Sequence, residues 1–133
     1  MKPTNKERVL LTGGAGYIGS HACVEFAAAG FDVCILDNFS NSSPAVLDRL
    51  ETITGEAFRV HRVDLRDEAA VGKVLRDEEP DAVIHFAGLK AVGESVAEPL
   101  RYYDNNVAGT LSLLRAMHST PVRNLVFSSS ATV

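Results

Sequence analysis

Four glycines crowd into the stretch Thr12-Gly13-Gly14-Ala15-Gly16-Tyr17-Ile18-Gly19. Two spacings coexist there. Gly14-x-Gly16-x-x-Gly19 is the general dinucleotide fingerprint, and Gly13-x-x-Gly16-x-x-Gly19 is a wider alternative. Glycines at such intervals permit a tight turn, let backbone N–H groups approach a pyrophosphate, and let a following helix pack close to the preceding strand. The helix N-terminus adds unpaired N–H donors and a partial positive charge. An acid, Asp37, ends the next apolar run. A carboxylate there can accept hydrogen bonds from both hydroxyls of an adenosine ribose, and it repels a 2′-phosphate, which favours NAD over NADP. Asp64, Phe86-Ala87-Gly88 and Ser128-Ser129-Ser130 close three later apolar runs. Three serines in a row make a poor core but a good rim for a site. The sequence has no Gly-x-Ser-x-Gly elbow of a serine hydrolase and no cluster with metal-ligand spacing.

The elements that must position these residues follow from periodicity. Arg8 to Leu11 reads as a buried strand, and Ile18, Ala22, Phe26 and Ala29 recur like one face of a helix that Gly30 ends. Phe31 to Leu36 predicts the second strand. After the polar loop 37–44, Ser43-Pro44 starts a helix whose apolar face is Val46, Leu47, Leu50 and Ile53, stopped at Gly55. Ala57 to Val63 predicts the third strand, and Asp67 caps a helix carrying Val71, Val74 and Leu75, which Gly72 weakens and Pro80 ends. Asp81 to Phe86 predicts the fourth strand. A long helix opens at Pro99 with the stripe Leu100, Tyr103, Val107, Leu111, Leu114 and Met117, and Pro121 closes it. Asn124 to Ser128 predicts the fifth strand. Strands alternating with helices imply an α/β fold, a doubly wound, Rossmann-like parallel sheet of order 3-2-1-4-5. Ligands then belong at the carboxyl ends of the strands, where every polar cluster above falls.

Composition narrows the function classes. The chain has 133 residues and a formal net charge of −4, enough for one domain over 1–133 and the wrong sign for nucleic acid or an anionic membrane. No apolar run approaches the roughly 18 residues of a membrane span, and the polar start Met1 to Arg8 is no signal peptide. Cys23 and Cys34 lack zinc or redox spacing and sit in apolar segments, so buried free thiols are expected. These features fit the cytoplasm.

Longer segments carry a resemblance. His85-Phe86-Ala87-Gly88-Leu89-Lys90-Ala91-Val92-Gly93-Glu94-Ser95 resembles the UDP-glucose 4-epimerases (UDP-galactose 4-epimerases), a branch of the extended short-chain dehydrogenase/reductases. So do Leu36-Asp37-Asn38, Tyr102-Tyr103-Asp104-Asn105-Asn106-Val107 with Gly109-Thr110, and Phe127-Ser128-Ser129-Ser130-Ala131-Thr132-Val133. The glycine turn alone marks only the wider family; the Lys90 segment is the discriminating one. The family's Tyr-x-x-x-Lys pair belongs a few dozen residues beyond Ser130, and this sequence ends first. It therefore reads as the N-terminal portion of such an enzyme, C-terminally incomplete, without the substrate domain and inactive by itself.

The resemblance assigns roles residue by residue. Gly13, Gly16, Tyr17, Ile18 and Gly19 would form the pyrophosphate turn. Asp37, Asn38, Ser40, Asn41 and Ser42 would wrap the adenosine. Asp64 would accept from the adenine amino group, with Leu65 offering backbone and apolar contact. Phe86, Ala87 and Gly88 would approach the pyrophosphate and ribose, and Lys90, Asn105 and Ser128 the rest of the cofactor. Lys90, Ser130, Ala131 and Thr132 would face the substrate, with Ser130 holding the sugar 4-hydroxyl beside the tyrosine. His85 reads as a packed histidine, and His21, His61 and His118 have no partner identifiable from sequence. The implied activity is epimerisation at C4 of a UDP-hexose with NAD as a retained hydride carrier, in a homodimer joined through the long helix. Two alternatives stay open: another extended-family enzyme on a nucleotide sugar, such as a dehydratase or decarboxylase, and a non-catalytic NAD-binding module.

Overall fold

The computed structural model describes residues 7–13, 17–38, 45–55, 57–86 and 108–127. Five short runs form strands β1 (Arg8–Thr12), β2 (Asp32–Asp37), β3 (Arg59–Arg62), β4 (Ala82–His85) and β5 (Leu125–Phe127), all but the polar β3 carrying Val, Ile or Leu at most inner positions. Helices α1 (Tyr17–Ala28), α2 (Ala45–Thr54), α3 (Glu68–Glu78) and α4 (Gly109–His118) connect them. All four strand pairings are parallel and the order is β3-β2-β1-β4-β5, as the alternating pattern implies. The register sets Thr12 beside Leu36 on one side and His85 on the other. Strand ends that carry polar residues therefore share one sheet edge.

Each sheet face has its own core. Leu10, Cys34, Leu36 and Val83 point to α3 and α4, while Val9, Leu11, Val33, Ile35 and Ile84 point to the other face with Cys23 and Leu50. Both cysteines are free and buried, and desolvation pushes each thiol up to about 12.

The helix ends obey local chemistry. Asp67 caps α3 by accepting from the Ala70 N–H at 3.2 Å. Gly30 and Gly55 leave α1 and α2 with φ of +92° and +75°.

The buried faces differ from the sequence expectation at three helices. On α1 the buried positions are Gly19 and Cys23, with Ala22 and Phe26 half-buried, while Ala29 lies beyond the helix and exposed. On α2, Leu50 is buried but Ile53, in the last turn, is 66% exposed. On α4, Gly109, Ser112, Leu113, Ala116 and Met117 are buried, whereas Leu111 and Leu114 are 46% and 43% exposed. The helix lies close to Leu65 at its start: a Cβ at Gly109 would stand 3.4 Å from that of Leu65. The part of the predicted stripe from Leu100 to Val107 lies outside the described residues, as does the start at Ser43-Pro44.

The edge opposite the polar strand ends is closed by buried charge. Arg8 donates from Nε to Asp32 at 2.7 Å and from Nη1 to the Glu78 carbonyl at 2.5 Å. Arg59 bridges the same two acids, and His61 Nε2 lies 2.7 Å from Glu78 Oε2, so His61 has the partner its sequence context did not reveal. For Asp32, burial pushes the pKa up, but hydrogen bonds from Arg8 and then Arg59 outweigh it and hold the carboxyl below its ordinary value. That stabilisation is full above the ordinary carboxylate pKa of about 3.9 and is lost as pH falls through the lower folded value. Arg8→Ala leaves the buried Glu78 and the half-buried Asp32 short of a cation and should cost about 3–5 kcal/mol in urea unfolding at neutral pH. A loss under about 1 kcal/mol would mean that Arg59 alone suffices.

Candidate functional site

The carboxyl edge of the sheet is organised by β1. Its last residue, Thr12, is wholly buried. Its carbonyl and its Oγ1 both accept from the Phe86 N–H, at 2.7 and 3.1 Å. The hydroxyl lies 2.6 Å from His85 Nδ1, and His85 Nε2 lies 3.1 Å from Thr110 Oγ1 in the first turn of α4. A hydroxyl–imidazole–hydroxyl brace thus spans β1, β4 and α4. It sits where the chain order of the sheet reverses, the place where open α/β sheets bind ligands. His85 is a packed, doubly bonded residue, as its strand position implies. Thr12 and Thr110 escaped the sequence reading; the one polar residue closing an otherwise apolar strand was the available signal at Thr12.

Directly after Thr12, Gly13 turns with φ +77° and its N–H donates to the Leu36 carbonyl at 2.8 Å. A side chain is strained in that conformation, which explains glycine there. Helix α1 begins at Tyr17 and Ile18, and Gly19 is buried in its first turn. Asp37 ends β2, 8% exposed, and its carbonyl accepts from the Val63 N–H at 3.2 Å. Asn38 follows it, half-buried.

Asp64 stands beyond β3. Its Oδ1 accepts from the Arg66 N–H at 2.9 Å and Nε at 3.0 Å, and its Oδ2 from Arg66 Nη2 at 2.6 Å. Asn38 also hydrogen-bonds this carboxylate, so two residues assigned separately to the adenosine side meet. The Arg66 hydrogen bond is the main cause holding the Asp64 carboxyl below the usual carboxylate range, against a smaller upward push from burial. Leu65 is buried against Gly109 and the α3–α4 core, so its side chain is taken up by packing and its backbone is what remains for a ligand. Phe86 is half-buried beside the brace. Gly16, Ser40, Asn41, Ser42, Ala87, Gly88, Lys90, Asn105, Ser128, Ser130, Ala131 and Thr132 lie outside the described residues.

One edge therefore gathers a left-handed glycine turn feeding a helix N-terminus, a buried acid one strand over, and a second acid a strand beyond that. These groups could hold a dinucleotide with its pyrophosphate over the turn and its adenosine across β2 and β3. Residues 9–133 match the NAD dependent epimerase/dehydratase family, and the chain belongs to it. Among its relatives, the UDP-glucose 4-epimerase of Bacillus subtilis (strain 168) is 56% identical over 125 residues, 94% of this chain and 37% of that protein. A UDP-glucose 4-epimerase of Klebsiella pneumoniae is 55% identical over 126 residues, 95% of this chain and 91% of that sequence. The crystal structure of UDP-glucose 4-epimerase from Bifidobacterium longum in complex with NAD+ and UDP superposes with a TM-score of 0.90 at 52% identity, over 95% of this chain and 38% of that one. The chain thus spans little more than a third of the length of the Bacillus and Bifidobacterium proteins.

The brace has a measurable worth. His85→Leu keeps the bulk and takes the imidazole partner from the Thr12 and Thr110 hydroxyls, which should cost roughly 1–3 kcal/mol of stability. Thermal unfolding of the variant checks this, and an unchanged midpoint would show that the hydroxyls find other partners.

Proposed function

We propose that this chain supplies the NAD-binding part, residues 1–133, of an enzyme that epimerises C4 of a UDP-hexose, interconverting UDP-glucose and UDP-galactose. The observation that carries the reading is the buried Asp37 carboxylate one strand from the Gly13 turn. That spacing suits a dinucleotide whose ribose hydroxyls donate to Asp37, and it disfavours a 2′-phosphate. The NAD+ and UDP bound by the Bifidobacterium relative support it.

When bound, NAD supplies the hydride acceptor for the sugar C4. The chain's own residues bind and orient. Gly13, Gly16, Tyr17, Ile18 and Gly19 form the pyrophosphate turn. Asp37, Asn38, Ser40, Asn41 and Ser42 hold the adenosine, with Asp64 accepting from the adenine amino group over the Leu65 backbone. Phe86, Ala87, Gly88, Lys90, Asn105 and Ser128 line the remainder of the cofactor. Lys90, Ser130, Ala131 and Thr132 face the hexose, and the Ser130 hydroxyl holds the 4-hydroxyl in place for proton transfer. Ser130 is not itself the base, because an alcohol without a neighbouring base stays protonated near neutral pH. The sequence contains no Tyr-x-x-x-Lys, so the base of the reaction comes from outside these 133 residues.

Among the described residues no helix is long and apolar enough to cross a membrane, and a cytoplasmic setting suits the two free thiols. The exposed Leu111 and Leu114 of α4 suit a second copy of the protein as partner. Sedimentation of a Leu111→Lys, Leu114→Lys double variant should then read a monomer, and an unchanged mass would refute that interface.

The function is tested by titrating NAD and NADP onto the intact, nucleotide-stripped protein beside a coupled assay with UDP-galactose. NAD should bind in preference to NADP, and Asp37→Ala should weaken NAD by roughly 1–3 kcal/mol. UDP-galactose should yield UDP-glucose without added cofactor, while residues 1–133 alone should be inactive. Equal affinity for NADP, or activity of the 133-residue chain alone, would contradict the reading.

A further inference from the structure

The Arg66 fork on Asp64 is an exposed pair at the protein surface, the kind that adds little to stability. Its geometry is nevertheless specific. Nε and Nη2 reach the two carboxylate oxygens side by side, and the Arg66 backbone N–H adds a third bond to Oδ1. The backbone is closed as well: the Asp67 N–H donates to the Asp64 carbonyl at 2.9 Å, and Asp67 then caps α3. The carboxylate cannot rotate without giving up several of these bonds.

An ionised carboxylate has about four acceptor positions. Arg66 fills three of them. The Asn38 side chain also reaches the carboxylate, from the end of β2 beside Asp37. The fourth position thus lies on the side of Asn38, toward the strand end on which the adenosine half of a dinucleotide would lie.

We propose that Arg66 is the positioning residue for adenine recognition: its guanidinium fork orients the Asp64 carboxylate so that its remaining acceptor position meets an exocyclic amino group. This rests on the reading of Asp64 as the adenine contact. The amino group takes over the position held by the Asn38 amide, and no proton changes hands. Arg66 touches neither the reacting atoms nor the base, so it acts only through Asp64. A lysine at this position would keep the charge but not the fork, because an ammonium cannot present two parallel N–H groups to both oxygens.

The distinguishing probe is nicotinamide hypoxanthine dinucleotide, in which a carbonyl replaces the adenine amino group. Both dinucleotides are titrated by calorimetry onto the intact protein stripped of nucleotide. The unsubstituted protein should prefer NAD. Arg66→Ala should lose at least tenfold in NAD affinity with little change for the hypoxanthine analogue, so that the preference collapses, and Arg66→Lys should resemble Arg66→Ala. Equal weakening of both ligands in Arg66→Ala would overturn the proposal, since it marks a merely structural turn. Full preference in Arg66→Lys would overturn the fork, since charge alone would then suffice. Asp64→Ala separates the two levels. If it keeps the preference, the reading of Asp64 fails and the proposal with it. If it loses the preference while both Arg66 variants retain it, Arg66 alone is refuted.

Discussion

Strand β1 is buried from end to end, and the structure depends on how its two polar ends are satisfied. A central parallel strand has neighbours on both sides and helices on both faces, so no water reaches it. At the first residue, Arg8 carries a charge into that interior and is met by Asp32, Glu78 and the backbone of Asp81. At the last, Thr12 carries a hydroxyl and is met by His85 and Phe86. The first end knits three strands and a helix into a closed pole. The second leaves the sheet's reversal point braced but open for a ligand. The same strand therefore has a stability end and a working end, at the two ends of five residues.

The working end divides by strand. Gly13 continues β1 and prepares a phosphate-sized turn; Asp37 continues β2; Asp64 stands past β3. Because parallel strands run in one direction, successive carboxyl ends lie side by side at the spacing of neighbouring strands, roughly 4.8 Å. A ligand lying across them meets one residue per strand. Asn38 and Arg66 tie the outer two positions together through Asp64.

Much of this was legible in the sequence because the signals were local. Strand order followed from alternating periods, and the Asp67 cap and the free cysteines followed from residue type and position. What was not legible came from tertiary distance. The stripe Leu111, Leu114, Met117 has good helical spacing, yet only Met117 of the three is buried, and the rest of the inner face of α4 is Gly109, Ser112, Leu113 and Ala116. Ile53 fits its helix's pattern but stands exposed in the last turn. The pairing of His61 with Glu78 joins residues seventeen apart, across β3 and α3, which no periodicity encodes. At the site, Asp37 and Asp64 stood out from their places after apolar runs, while nothing in the sequence singled out Arg66. Only the fork shows which carboxylate it serves.

The two cysteines give the molecule a clock. Cys34 lies in the middle of the sheet and Cys23 on the helix that follows the glycine turn, and neither has solvent access in the closed fold. With both thiols pushed up to about 12, thiolate is scarce near neutral pH and a modifying reagent gains almost nothing from the native state. Reaction must wait for a segment to open and for the sulfur to regain an ordinary acidity. The rate of labelling then counts openings: Cys23 reports departures of α1 from the sheet, Cys34 reports separation of the sheet itself. The chain thus carries in its own sulfurs a record of which part opens and how often.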